Sequence, residues 1–137
     1  MKTALFPGRF QPFHKGHRIC VVQILKAGRQ VIIGIRNDVQ MDMDNPFAVS
    51  QRYDIIHQAT RDLDCMIVRL PTRLGFDEVW TRIPELAVTF DCQAIRLPRF
   101  EFSATQIRER LRNEQAIDDL VCPGTATMIK RYWNECN

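Results

Sequence analysis

The stretch Gly8-Arg9-Phe10-Gln11-Pro12-Phe13-His14-Lys15-Gly16-His17 decides how the rest of the chain is read. Before it, residues 2–6 form a short apolar segment ending in Pro7-Gly8, the pattern of a strand running into a turn. After it, from 14 to 27, the apolar residues Ile19, Val22, Ile24 and Leu25 recur at helical spacing until Gly28 ends the run. Residues 30–35 are a continuous apolar segment of strand length, as in a sheet buried on both faces. The ten-residue string therefore sits where a first strand hands over to a first helix. In open parallel sheets ligands bind beyond the carboxyl ends of the strands, so this junction is a candidate site on position alone.

Farther along, 37–46 is a polar, acidic loop, and 48–59 is expected to be a helix with Tyr53, Ile55, Ile56 and Ala59 inward. Residues 65–70 are a third strand stopped by Pro71, and 94–97 a fourth. Between them the pattern is ambiguous; a helix is expected around 77–83, followed by irregular chain. Residues 103–113 and 125–135 are the last two helices. This alternation of strand and helix predicts an α/β fold, a parallel sheet covered by helices on both faces. At 137 residues it forms one domain, with a core over 1–113 and a C-terminal helical segment over 114–137.

Composition narrows the class. Hydrophobic residues make up 45% and charged residues 26%, which excludes a disordered or low-complexity chain. No apolar run approaches the ~20 residues a membrane helix needs, and Pro7-Gly8-Arg9 interrupts the one segment that resembles a signal-peptide opening. The five cysteines are widely spaced and contain no C-x-x-C pair, which fits free thiols in a reducing cytoplasm. The net charge of +3 is unevenly placed: residues 1–36 hold seven basic residues and no acid. Arginine outnumbers lysine by 15 to 4, which suits two-pronged recognition of phosphate or carboxylate as well as an ordinary basic surface. A nucleic-acid partner is not expected, because the interleaved row of aromatics typical of single-strand binding is absent.

His14, Lys15, His17 and Arg18 crowd the first turn of the expected helix, where the helix dipole already places positive charge. A bound anion would remove that conflict. His14 and His17, three apart, can reach the same phosphate group, and Gly8 and Gly16 allow close backbone approach. An H-x-x-H pair also suits a metal, but no third zinc-type ligand lies nearby. Near the other end, Ser103 followed by Gln106 reads as a capping box, with Ala104, Ile107 and Leu111 inward. Arg108, one turn in, leans back toward the helix start beside Thr105, a second anion site of the same design. By itself that segment reads rather as a well-capped surface helix with Arg108, Arg110 and Arg112 in solvent.

The ten-residue string resembles the first signature of the nucleotidyltransferase superfamily named for its H-x-G-H (HIGH) motif. Its opening is most similar to nicotinamide-mononucleotide adenylyltransferases of archaeal type and their small phage-like relatives. Phe102-Ser103-Ala104-Thr105-Gln106-Ile107-Arg108 is similar to the second signature of that family, and Asn45-Pro46-Phe47-Ala48-Val49-Ser50-Gln51-Arg52 to a third segment. The resemblance covers about residues 2–60 and 94–112 and is weak over 71–93. It implies a Rossmann-like (HUP-type) domain that transfers AMP from ATP to a phosphorylated acceptor, with nicotinamide mononucleotide giving NAD. His14, His17 and Arg108 are then expected to be catalytic. Gly8, Arg9, Phe10, Gln11, Gly16, Ser103 and Thr105 are expected to bind nucleotide. Mg²⁺ is expected on the triphosphate, with no metal ligand from the protein.

Arg52 and Trp80 are candidate acceptor-side residues; a surface salt bridge and a core position are the competing readings for them. Asp42 and Asp44 read as solvated and His57 as partly buried. A cytidylyltransferase acting on a small alcohol phosphate and a nucleotide-binding regulator without turnover are the rival functions. Arg9-Phe10-Gln11 stands where cytidylyltransferases of the superfamily tend to carry Thr-Phe-Asp. A cytoplasmic homo-oligomer is expected, with another subunit able to complete the acceptor pocket.

Overall fold

The computed structural model describes residues 1–38, 40–83, 85 and 89–136. Five strands, β1 (Thr3–Gly8), β2 (Gln30–Ile35), β3 (Cys65–Arg69), β4 (Glu78–Thr81) and β5 (Gln93–Arg96), form one sheet in the order β3-β2-β1-β4-β5. Every ladder is parallel. Four helices accompany them: α1 (Lys15–Lys26), α2 (Val49–Ala59), α3 (Ala104–Arg112) and α4 (Ala126–Cys136). This is a Rossmann-like order, in which the chain grows outward from β1 first one way and then the other, leaving a switch point between β1 and β4. Among the described residues, no helix is long and apolar enough to cross a membrane.

The switch point is visible in the register. β1 pairs with β2 along its whole length, from Thr3↔Gln30 to Gly8↔Ile35, but with β4 only at Ala4↔Glu78 and Leu5↔Val79. Beyond Leu5 the two strands part, and the crevice opens there. That parting also explains why β1 runs through Pro7, where sequence reading ends the strand at residue 6. A proline removes one ladder donor, which is tolerated where a strand has only one neighbour.

Alternation along the strands divides the interior. Ala4, Phe6, Val31, Ile33 and Ile35 join Val21 and Ile24 of α1, Ile55 and Ile56 of α2, Ile107 of α3 and Ile129 of α4 in one large core. The intervening residues Leu5, Ile32 and Val79 form a smaller cluster with Leu70, flanked by Val68, Phe76, Phe90 and Cys92. Burying one such Leu, Ile or Val is worth about 1.5–3 kcal/mol. Ile117, Leu120, Val121 and Cys122, from the segment before α4, belong to the large core as well.

Two local expectations are corrected. Residues 78–81 are strand β4, not part of a helix over 77–83. Val79, Trp80 and Thr81 favour a pleated surface, and Glu78, which looks like a helix former, is a buried carboxylate held by Arg29 at 2.8 Å. In α2 the inward stripe is Arg52, Ile55, Ile56 and Ala59. Tyr53 is exposed and stacks on His57, which is exposed too. The spacing i, i+3, i+4, i+7 is that of one helical face, and it selects the arginine in place of the aromatic.

Candidate active site

A cleft of about 540 Å³ lies at the carboxyl end of β1, where β1 and β4 part. Its wall runs from Phe6 to Gln11, takes in His14 and His17 at the start of α1, and returns through Ser103, Thr105 and Arg108 at the start of α3. The two stretches that sequence reading singled out, remote in the chain, therefore share one cavity.

His14 caps α1 from extended backbone. Its Nδ1 accepts the Gly16 amide at 3.0 Å, and His17 Nδ1 accepts the His14 amide at 3.1 Å. Each imidazole thus has one nitrogen occupied as an acceptor. In the neutral ring the proton must sit on the other, so both rings carry it on Nε2. Their centroids are 3.8 Å apart. His17 also lies against Phe10 at 5.0 Å and Phe13 at 5.2 Å. Burial, assisted by the nearby Arg82, pushes the His14 pKa down to about 3. Burial, with His14 and Arg82 adding to it, pushes His17 well below its ordinary range. The cleft is therefore lined by two neutral imidazoles.

The glycines serve this arrangement in a way the sequence did not disclose. A Cβ on Gly16 would stand 2.9 Å from His14 Cε1, and one on Gly8 would stand 2.7 Å from the Phe10 ring. Both keep space for neighbouring side chains and not for the ligand directly. Phe10 itself has φ +50 and is buried, a conformation a bulky residue adopts only where its surroundings enforce it. The first-turn amides of α1 are also engaged: Lys15 N–H donates to the Leu120 carbonyl and Gly16 N–H to His14. The imidazoles take over the donor role expected of the helix start.

Arg108 joins the two halves of the cleft. Its Nη1 donates to the Gln11 carbonyl at 2.8 Å and its Nη2 to the Thr105 hydroxyl at 3.3 Å. Its Nε is buried and finds no partner among the described residues. Arg52 shares this feature, since its Nε is likewise buried without a partner among the described residues. Asp44 Oδ1 lies 4.0 Å from Nη2 of Arg108, and burial lowers the Arg108 pKa from its usual value. Ser103 caps α3 through the Gln106 amide at 3.2 Å, so its hydroxyl is engaged in capping. Arg9 donates to the Asn45 side chain at 3.2 Å from the rim.

Gln11 is buried, and its side-chain amide exchanges two hydrogen bonds with the Phe47 backbone, at 2.9 and 3.1 Å. That fixes the third segment to the first. Arg52 is neither in a surface salt bridge nor in the cleft. It is buried and donates to the carbonyls of Arg9 at 2.9 Å and Arg36 at 2.7 Å. Trp80 does not reach the cleft either: its indole N–H donates to Glu78 and its ring faces Arg29. Lys15 and Arg18 turn away, to the Asp119 carbonyl and to Asp62. Asp42 is engaged in a turn, accepting from the Asp44 amide and from Asn45. Sequence reading missed Arg36, Arg82 and Arg99, which line the cleft in place of those cations. Their shared signal is an arginine just past the carboxyl end of a strand, Ile35, Thr81 and Arg96 being the strand ends.

The Cytidylyltransferase-like family model matches residues 5–74. The nicotinamide-nucleotide adenylyltransferase of Methanoculleus marisnigri is 26% identical, over 95% of this chain and 91% of that protein. That of Pyrobaculum arsenaticum is 31% identical, over 96% and 89%. Among solved structures, a bifunctional NMN adenylyltransferase/ADP ribose pyrophosphatase from Francisella tularensis, complexed with AMP and Mn ion, superposes with a TM-score of 0.81 at 20% identity. The match covers 98% of this chain and 50% of that one, so the chain spans half of the bifunctional protein and the likeness is one of fold. With its parallel sheet, its cleft at the switch point and relatives of this kind along nearly its whole length, the chain belongs to the Cytidylyltransferase-like family, beside proteins named nicotinamide-nucleotide adenylyltransferase.

Proposed function

We propose that the chain transfers AMP from ATP to nicotinamide mononucleotide, giving NAD and pyrophosphate. One observation carries the reading: two neutral imidazoles with their proton on Nε2 and the buried Arg108 line one cleft at the switch point of the sheet. The names of the relatives support the substrates.

In the reaction, a phosphate oxygen of the acceptor attacks the α-phosphorus of ATP. The new P–O bond forms as the bond to the β-phosphate oxygen breaks, and pyrophosphate leaves. The attacking phosphate is already an anion near neutral pH, so no general base is required. The protein's task is to hold the two phosphates in line and to stabilise charge that grows on the α-phosphate and the leaving group.

His14 and His17 donate to the α- and β-phosphates through Nε2–H. Because both are neutral before binding, the phosphate is met by oriented dipoles that need no rearrangement. Arg108, with Thr105 beside it, holds the β/γ end, and Arg9 contacts phosphate from the rim. Gln11, Gly8, Gly16 and Phe10 hold these groups in place. ATP is taken as its Mg²⁺ complex, since Mg²⁺ keeps much of its water and binds largely through substrate phosphates. Among the described residues no group of three His, Cys, Asp or Glu side chains converges to hold a metal, and Asp38 and Asp44 already face arginines.

The test is pyrophosphate release with each nucleoside triphosphate against a panel of phosphorylated acceptors. NAD from ATP and nicotinamide mononucleotide is the expected product. Preference for CTP with an alcohol phosphate would establish the cytidylyltransferase reading, and nucleotide binding without turnover would establish a regulator.

A further inference from the structure

Beside the arginine-lined cleft lies a second cavity of about 300 Å³, with apolar walls from Pro7, Leu70, Pro71 and Phe90. Pro7 and Arg36 line both cavities. One chamber is cationic and the other mostly apolar, with Asn37, Asp38 and Thr89 also on its wall, and Arg36 stands on the partition. A nucleoside monophosphate has that same division, an anionic phosphate at one end and a flat ring at the other.

Arg36 is held for such a role by its backbone. It directly follows the carboxyl end of β2, its N–H donates to the Gly8 carbonyl at 2.9 Å, and its own carbonyl accepts from Arg52 at 2.7 Å. Its guanidinium rests on Asp38, with hydrogen bonds of 3.1 and 2.9 Å. That carboxylate is exposed and belongs to the acidic loop after β2, so the pair can be exchanged at low cost. An acceptor phosphate offers the same two-oxygen edge to the guanidinium that Asp38 now offers.

From this we infer that Arg36 binds the phosphate of the acceptor nucleotide and holds it beside the triphosphate cleft, with Asp38 as the counter-ion it releases when the acceptor arrives. The inference rests on the adenylyl-transfer reading above and adds to it the residue that receives the acceptor. It differs from the expectation that Arg52 and Trp80 stand on the acceptor side; Arg52 donates to the Arg9 and Arg36 carbonyls and Trp80 to Glu78.

The experiment compares Arg36→Ala, Arg36→Lys and Asp38→Asn with the wild type in steady-state assays with ATP and nicotinamide mononucleotide. ATP binding is measured separately by calorimetry. Arg36→Ala should raise KM for nicotinamide mononucleotide at least tenfold and leave the ATP Kd within about threefold, and Arg36→Lys should recover part of that loss. Asp38→Asn should lower the same KM by a few-fold, because a competing carboxylate is gone. If the Arg36–Asp38 pair only ordered the loop, removing either partner would shift KM in the same direction, and that result overturns the inference. So does an Arg36→Ala enzyme with unchanged KM. A wild-type enzyme inert toward nicotinamide mononucleotide overturns the proposed function itself, a different failure from either of these.

Discussion

Helices α1 and α3 both begin at the cleft, and they begin differently. In α1 the capping residue is also a site residue: His14 accepts from the Gly16 amide, and His17 closes the box by accepting from His14. In α3 capping falls to Ser103, while Arg108, one turn farther in, also lines the cleft. The first helix therefore cannot lose its cap without losing ring orientation and tautomer. The second separates folding from recognition. Substitutions at the two starts should consequently fail in different ways.

His17→Ala makes the sharpest test. It removes an N–H donor and the acceptor for the His14 amide together, and kcat should fall by about 10²–10³, the usual cost of one preorganised donor. Near-normal turnover, measured as NAD formation, would break the assignment. Gly16→Ala should cost about 10² in kcat/KM, because its Cβ would displace the His14 ring, 2.9 Å away, and small misplacements are expensive. Helix propensity favours alanine by about 1 kcal/mol, so the thermal midpoint should not follow the activity down.

At α3, Arg108→Ala should weaken ATP binding by about 10–10²-fold in calorimetry, the range for a charge-assisted hydrogen bond. The fold should persist, since Ser103 still caps the helix. A pH titration separates the helix starts again. The unfolded chain protonates its histidines near 6.5, whereas His14 in the folded chain stays neutral down to about 3. Protons then bind the unfolded state more strongly across that window, so stability falls as pH drops through it. The loss from His14 should be about 2 kcal/mol between pH 6.5 and 5, read from urea unfolding. Ser103→Ala has the smallest expected effect, about 1 kcal/mol of stability with kcat nearly retained. A large loss of kcat there would mean that the hydroxyl meets phosphate as well as the Gln106 amide.

The same contrast explains what the sequence could disclose. Helix starts are local events, and the ten-residue string and the Ser103 segment stand out because cap, glycine and histidine fall at fixed offsets. The sheet core was readable at Val31–Ile35 for the same reason, a continuous apolar run. What escaped depends on distant partners. Glu78 and Trp80 look like helix and ligand residues until Arg29 is placed beside them. Arg52 looks like a surface cation until β1 and β2 deliver two carbonyls to it. Arg36, Arg82 and Arg99 share only their place after a strand end, a signal that needs the strands located first; the parallel sheet, which brings strand ends to one side, makes them neighbours.

The paired hydrogen bonds between Gln11 and the Phe47 backbone bear on how this protein can be altered. Arg36 is held at one end by Gly8 and Arg52, and Phe47 at the other by Gln11. The intervening chain is thus spliced into the domain at both ends. Its length can change without moving either anchor, and doubling a loop costs only about 0.6 kcal/mol in closure entropy. An insertion there must still leave Asp38 on Arg36, Asp44 near Arg108 and Asn45 on Arg9, contacts by which this loop reaches the cleft.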